Sequence, residues 1–232
     1  MKVNSSEHIY EVLKEEIMFL EIVPGSVISE IEMACRFGVS RTPIRDVFKR
    51  LENEGVVQIM PQKGTVVSRI DLKNLTDMMY MREKLELSII EDLIDKGHNE
   101  QLVKLRLLLL TQEKAFEEEG ITYEKLAKQF IKGDNDFHRL IFKSVGKERI
   151  WDLMLQTTPH YQRFRAINNL QNIDVVRALL EEHRNILLLL ENRDKEGVKK
   201  LYAKHIYGGA KSIADIISSN REFFVVEQDW IT

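Results

Sequence analysis

Three shortages narrow the reading before any motif is considered. The chain of 232 residues carries a single cysteine, Cys35, so no intramolecular disulfide braces it, which suits a reducing cytoplasm. Long apolar runs are missing too. The leucine stretches 107–110 and 187–190 fall far short of a bilayer span, and the opening Met1-Lys2-Val3-Asn4-Ser5-Ser6 has no signal-peptide core. These features predict a cytoplasmic protein with no membrane partner. Positive charge is not in excess either. With 34 Lys and Arg against 37 Asp and Glu the net charge is −3, so any nucleic-acid contact has to come from local placement of cations. Repeats and low-complexity tracts are absent, and 44% hydrophobic residues suffice for two modest globular domains.

The pattern that is present predicts a mainly α chain: an N-terminal winged helix-turn-helix with a small β-hairpin, then an all-α helical bundle. Ser5 and Ser6 can cap a helix whose apolar positions Ile9, Val12, Leu13, Ile17 and Leu20 recur at helical spacing, and Pro24-Gly25 ends that segment. Ser29-x-x-Glu32 reads as a capping box opening a short helix that stops at Gly38. Ser40 caps a third helix, with Pro43 in its first turn and Ile44, Val47, Phe48 and Leu51 on its inner face. The β-rich runs 56–60 and 65–68 flank Pro61-Gln62-Lys63-Gly64 and make the hairpin. After Asp71 the pattern is helical, with spans near 71–96, 99–118, 122–144, 147–169, 173–193 and 194–218. Pro159 should kink or divide the fourth of these, and Asp194 can cap the last. The expected division is 1–70 for the winged helix-turn-helix, 71–220 for an effector-binding and dimerisation domain, and 221–232 for an apolar tail.

Two helices joined by a short glycine turn, the second bearing exposed cations, form the helix-turn-helix arrangement. With the inner face of the third helix buried, Arg41, Thr42, Arg45, Lys49 and Arg50 are left outside. Its first turn, Ser40-Arg41-Thr42, offers hydroxyls, a guanidinium and free amides to a phosphate, and Arg45 can reach a guanine edge. Lys63 and Gly64 stand at the hairpin tip, over a neighbouring phosphate or minor groove. Charged residues most often form a solvated face. Cations on the second helix of such a pair, together with a basic hairpin, favour double-stranded operator DNA as partner.

The stretches Val23-Pro24-Gly25-Ser26-Val27-Ile28-Ser29-Glu30, Phe37-Gly38-Val39-Ser40-Arg41-Thr42-Pro43-Ile44-Arg45-Asp46, Leu51-Glu52-Asn53-Glu54-Gly55 and Gly64-Thr65-Val66-Val67 resemble the GntR family of bacterial regulators. The resemblance runs through about residues 6–70 without a gap. It implies operator contacts by Arg41, Thr42, Arg45, Arg50 and the wing around Lys63-Gly64. The chain departs from it at Ile31, where family members often carry arginine, so a phosphate contact is lost there.

Six histidines are present, and three form a pattern. Asp134 and His138 are four residues apart and share one helix face, while His183 and His205 sit on two further helices. Three imidazoles and a carboxylate converging inside a bundle would suit a divalent transition metal ion (zinc, nickel or manganese), with positions left for water or ligand. Taken singly, each histidine is as readily a core or surface residue. The segments Leu85-Glu86, Asp134-x2-Phe137-His138, Glu182-His183 and Asp194 to His205 are similar to the FCD-type effector domain of the FadR branch over residues 75–218. That resemblance implies a bundle of six or seven helices, a homodimer, metal ligation by Asp134, His138, His183 and His205, and a small organic acid as effector. Arg82 and Arg165 are the candidate cations for its carboxylate; His8, His98 and His160 fall outside the pattern. Two rivals remain: a metal sensor in which the ion is itself the effector, and a metalloenzyme, for which no nucleophile or acid–base motif is seen. A regulator rather than an enzyme is expected.

Overall fold

A computed structural model describes residues 5–96, 99–156, 159–208 and 213–225, and the chain divides into two compact units. The first gathers residues 1–75 with two sequence-distant segments, 156–164 and 215–232; the second is 76–155 with 165–214. Helices dominate both, and the only sheets among the described residues are a three-stranded and a two-stranded one.

In the first unit α1 (Ser6–Met18) starts at Ser5, whose hydroxyl accepts from the His8 amide. It buries Ile9, Leu13 and Ile17, but ends before Leu20, which takes a positive φ of 65° beyond the helix. Helix α2 (Glu30–Phe37) is capped by Ser29, which accepts from the amide of Ile31; the reciprocal bond from Glu32 that a capping box requires is not seen. Gly38, at φ 64°, closes α2 in the left-handed conformation. The space about its Cα is open, so the backbone angle and not crowding calls for glycine. Helix α3 (Arg41–Asn53) follows after one short turn and packs Ile44, Val47, Phe48 and Leu51 against α1 and α2. Ser40 stands at its N-cap, but the hydroxyl makes no capping bond and stays exposed.

The wing is the antiparallel pair β2 (Val57–Met60) and β3 (Gly64–Val67), in register Val57 to Val67 and Met60 to Gly64. A strand the sequence pattern did not predict, β1 (Val27–Ile28), lies on the other edge of β3. Burial of Val56, Val57 and Val67 seals this sheet onto the helical core. A second unpredicted pairing is parallel, between β4 (Ile70–Asp71) and β5 (Phe224–Val225). The start of the apolar tail is thus a strand of the first unit; residues 226–232 lie outside the described part.

The same unit takes in the first turn of α8 (Pro159–Gln171). Arg163 there is fully buried and donates to the carbonyl oxygens of Ser68 and Pro159. Asp71 N–H (3.1 Å) and the Arg163 guanidinium (3.2 Å) both point at His160 Nδ1, which must therefore be the unprotonated acceptor, with the proton on Nε2.

The second unit is a bundle of α4 (Leu72–Lys96), α5 (Asn99–Ala115), α6 (Tyr123–Ser144), α7 (Glu148–Gln156), the rest of α8, α9 (Ile173–Glu191) and α10 (Lys195–Gly208), while α11 (Ile213–Ser219) belongs mostly to the first unit. Pro159 divides the predicted fourth span, as its missing amide dictates, and sits in the first turn of α8. Thr122 caps α6 and Asn172 caps α9 through side-chain oxygens, and Asp194 accepts from the Gly197 amide at the start of α10. The Gly208-Gly209 break falls where α10 ends, with Gly209 itself outside the described residues. Helix α6 packs against α5 and α9, and α9 against α10, which places the inner faces of α6, α9 and α10 together.

Candidate functional site

Each of these three helices interrupts its own apolar stripe with a ligand-type side chain. On α6 the buried series Phe130, Asp134, Phe137, His138, Ile141 puts a carboxylate and an imidazole where leucines would serve. On α9 the series Val176, Leu180, His183, Leu187 does the same, as does Val198, Tyr202, His205 on α10. Polar groups at such positions lose hydration on folding and need partners. The four side chains Asp134, His138, His183 and His205 are all buried, and each offers one ligand atom within 4.8 Å of the others. His138 Nε2 lies 3.3 Å from His205 Nε2 and 3.8 Å from Asp134 Oδ2, and His183 Nε2 lies 3.4 Å from Asp134 Oδ1.

Groups behind the cluster assign the tautomers. His138 Nδ1 faces Glu86 Oε2 (2.8 Å) and the Tyr202 hydroxyl (2.6 Å), and that hydroxyl donates to the same Glu86 oxygen. An ionised carboxylate only accepts, so Nδ1 of His138 carries hydrogen and Nε2 turns a lone pair inward. His205 Nδ1 donates to Glu182 Oε2 at 2.9 Å, with the same consequence. Two imidazole lone pairs therefore face each other at 3.3 Å. His183 has no hydrogen-bond partner at either ring nitrogen among the described residues, and its ring is stacked on Phe137 at a centroid distance of 4.2 Å.

The electrostatics favour ligand-ready forms. Burial pushes the Asp134 carboxyl up, but Arg165 and the surrounding imidazoles outweigh it and hold the acid well below the usual carboxylate range. Glu86 is held down in the same way by Arg82 and His138 against the effect of its own burial. Burial lowers His138 despite the opposing pull of Glu86, and lowers His183 far below the imidazole range. Both rings are thus neutral near pH 7, the form that coordinates. Arg165 pairs with Asp134 and reaches Asn135 Oδ1 at 2.8 Å. Arg82 is almost wholly buried, with its guanidinium committed to Glu86 and lying 5.4 Å from the Trp151 ring centre.

Sequence reasoning assigned the four cluster residues as ligands but gave no role to Tyr202, or to Glu86 and Glu182, which it named only within the segments that carry the FCD resemblance; these three orient the ligands. A buried glutamate reads in sequence like a surface one. Besides that resemblance, a local hint was the Arg82-to-Glu86 spacing of one helical turn.

On the first unit, Arg41, Thr42, Arg45, Lys49 and Arg50 are exposed along α3, and Lys63 and Gly64 are exposed at the wing tip. Three of the arginines are engaged. Glu30, at the start of α2, accepts from Arg41 (3.0 Å) and from both Nε and Nη2 of Arg45 (3.0 and 2.9 Å). Arg50 bonds Glu7 at 2.6 Å and stacks over the Tyr10 ring.

A winged helix-turn-helix on one unit, with a helical bundle enclosing a polar cluster on the other, defines a transcriptional regulator with a DNA-binding and an effector-binding domain. The family model described as bacterial regulatory proteins, gntR family, matches residues 5–67, and the FCD domain matches residues 77–208; the chain belongs to the GntR family, with an FCD domain behind its helix-turn-helix. It is 27% identical over 222 residues to the HTH-type transcriptional repressor RspR of Escherichia coli (strain K12), covering 96% of this chain and 94% of that protein. With the Nta operon transcriptional regulator of Aminobacter aminovorans it shares 28% identity over 194 residues, 84% of this chain and 87% of the other. Among solved structures, Escherichia coli McbR/YncC is similar in fold, with a TM-score of 0.70 and 20% identity over 92% of this chain and 97% of that one. These relatives are regulators, not enzymes. No helix among the described residues is long and apolar enough to cross a membrane.

Proposed function

We propose that this chain is a cytoplasmic, homodimeric, metabolite-responsive regulator whose operator affinity is set by a small carboxylate bound at a metal ion. The ion is a divalent transition metal, zinc, nickel or manganese, held by Asp134, His138, His183 and His205. The observation that carries this reading is the pair of inward lone pairs on His138 and His205, 3.3 Å apart, beside an unpartnered His183 and an ionised Asp134. One shared proton would relieve the pair but leave His183 without a hydrogen-bond partner, whereas a cation answers all three imidazoles and adds to the Arg165 charge at Asp134. The separations of 3.3, 3.4 and 3.8 Å are also near the roughly 3.0–3.4 Å expected between neighbouring donors on bonds of about 2.1 Å.

Bound there, the ion would supply Lewis-acidic positions to a carboxylate. The chain's own contribution is to fix three imidazoles through Glu86, Tyr202, Glu182 and Phe137, and to place a guanidinium beside the site. Arg165 is the stronger of the two candidate arginines for the effector's charge, because it adjoins the ligand Asp134 itself, whereas Arg82 pairs with Glu86 behind His138. Residues 71–220 carry this function and dimerisation; the exposed apolar residues Val103, Leu107 and Leu110, on one face of α5, support a second copy as partner. Residues 1–70 bind DNA through Ser40, Arg41, Thr42, Arg45, Lys49, Arg50, Lys63 and Gly64, with Glu30 holding Arg41 and Arg45 until the operator displaces it.

The test is elemental analysis of chelator-free protein, then operator affinity titrated with metal in the presence and absence of small carboxylates. Wild type should contain stoichiometric metal and His183→Ala should lose it, with effector response falling and DNA binding largely spared. A response to metal alone would make the ion the effector. Metal-free wild type that zinc, nickel and manganese all leave unchanged would remove the metal from the reading.

A further inference from the structure

A second cavity in the helical unit lies apart from the histidine cluster. It is a cleft of ≈ 580 Å³ between α5 and α6, with Leu108, Ala115, Phe116, Leu126 and Phe130 among its apolar walls. Gln112, also in its lining, is more than nine-tenths buried, and among the described residues neither its amide nitrogen nor its amide oxygen has a hydrogen-bond partner. A donor and an acceptor stranded together are rare in a folded core.

The placement is built into the helix opposite. Gly133 interrupts α6, where glycine is a poor residue, and a Cβ there would stand 2.9 Å from Gln112 Nε2 and 3.0 Å from its Cγ and Cδ. The missing side chain makes room for the Gln112 amide against the α6 backbone at the foot of the cleft, where both its polar atoms are closed to solvent, so a ligand takes them up as the side chain turns outward. The other polar residues of the lining, Thr111, Lys114, Glu118, Gln129, Lys132 and Asp136, are exposed, so Gln112 is its one buried polar side chain. A largely apolar pocket with a few placed polar groups is the usual form of a small-molecule site.

We propose that this cleft is a second ligand site, one for a neutral molecule with a flat apolar or aromatic body and a carboxamide or lactam edge. Such an edge presents one donor and one acceptor side by side, the complement of the Gln112 amide. A carboxylate, the effector class assigned to the metal cluster, has no donor to offer and leaves the glutamine oxygen unpaired. The walls take the body and the amide reads the head.

Benzamide is the probe. Its binding to the full-length protein is followed by ligand-observed NMR, with toluene as the body without a head, on wild type and on Gln112→Leu, Gly133→Ala and His183→Ala. Benzamide should bind wild type and His183→Ala alike, the latter separating this site from the cluster. It should bind Gln112→Leu roughly tenfold more weakly, the worth of two modest hydrogen bonds. Gly133→Ala should weaken it as well by displacing the glutamine. Gln112→Leu should melt higher than wild type, since a near-isosteric apolar side chain removes the stranded groups; this confirms that the variant is folded. No binding of benzamide to wild type, equal binding to Gln112→Leu, or binding of toluene as tight as that of benzamide would each overturn the proposal.

Discussion

Glu182 offers the sharpest test of the cluster, because it touches no site ligand except through one hydrogen bond. Its Oε2 accepts from His205 Nδ1 at 2.9 Å, and its other oxygen lies 3.5 Å from Lys204 Nζ. Glu182→Gln keeps the size and can keep the bond through its amide oxygen, but it removes the charge. A charge-assisted bond of about 1.5–3 kcal/mol becomes a neutral one of about 0.5–1.5 kcal/mol. The side chain is 17% exposed, so water screens part of the difference and the low end applies. The loss should be about 1 kcal/mol, roughly a fivefold fall in metal affinity, just under the range usual for groups that orient a liganding histidine. Competition against a fluorescent chelator at pH 7.5 measures it, with Lys204→Ala as the control that should move little. Because Glu182 is on the helix that carries His183, circular dichroism should confirm an intact α9. Metal affinity within twofold of wild type in the folded variant would refute the claim that Glu182 sets the His205 tautomer for an ion.

Three further outcomes follow from the geometry. Arg45→Ala should weaken specific operator binding by about 1–3 kcal/mol in a gel-shift titration while the fold persists, and unchanged affinity would count against α3 as the reading helix. Lys63→Ala should weaken binding to all sequences and make the salt dependence shallower by about one phosphate's worth. His160 titrates at about 4, lowered first by burial and then by the Arg163 charge, against 6.5 when unfolded. The unfolded chain therefore binds the extra proton between these values, so stability is complete above pH 6.5 and declines as pH falls towards 4. After screening of a partly exposed ring the loss should be about 1–2 kcal/mol in urea melts, and His160→Asn, which keeps an acceptor but cannot titrate, should flatten that slope.

What the sequence made legible depended on how many residues carried each signal. Long helices with apolar residues every third or fourth position, such as 72–96 and 123–144, lie within a residue or two of their predicted spans. Pro159 broke a helix as its chemistry requires. Strands β1, β4 and β5 have two residues each, too few for alternation to register, and their partners are 37 to 154 positions away. Leu20 fitted the apolar spacing of α1 but lies past its end, since spacing alone does not locate a stop. Asp134, His138, His183 and His205 were legible because ligand-type residues took apolar positions on three helices. The roles of Glu86, Tyr202 and Glu182 were not, and neither was the hold of Glu30 on Arg41 and Arg45, because each depends on a fold-level contact that no local pattern encodes.

The discontinuous make-up of the winged unit has a consequence for its birth on the ribosome. Its N-terminal core can condense once about 75 residues have emerged, yet the Ser68 carbonyl waits for Arg163 and the Ile70 edge waits for Phe224. At about 5–20 residues per second, the roughly 150 residues still to be made take about 8–30 s. Throughout that interval the nascent chain shows an unpaired strand edge, the sort of template to which a neighbouring nascent chain can add itself. Chains released early never close it. The pairing of β5 with β4 thus closes the winged unit late, and crowding of copies that lack it on one messenger is the circumstance in which this fold is most exposed to aggregation.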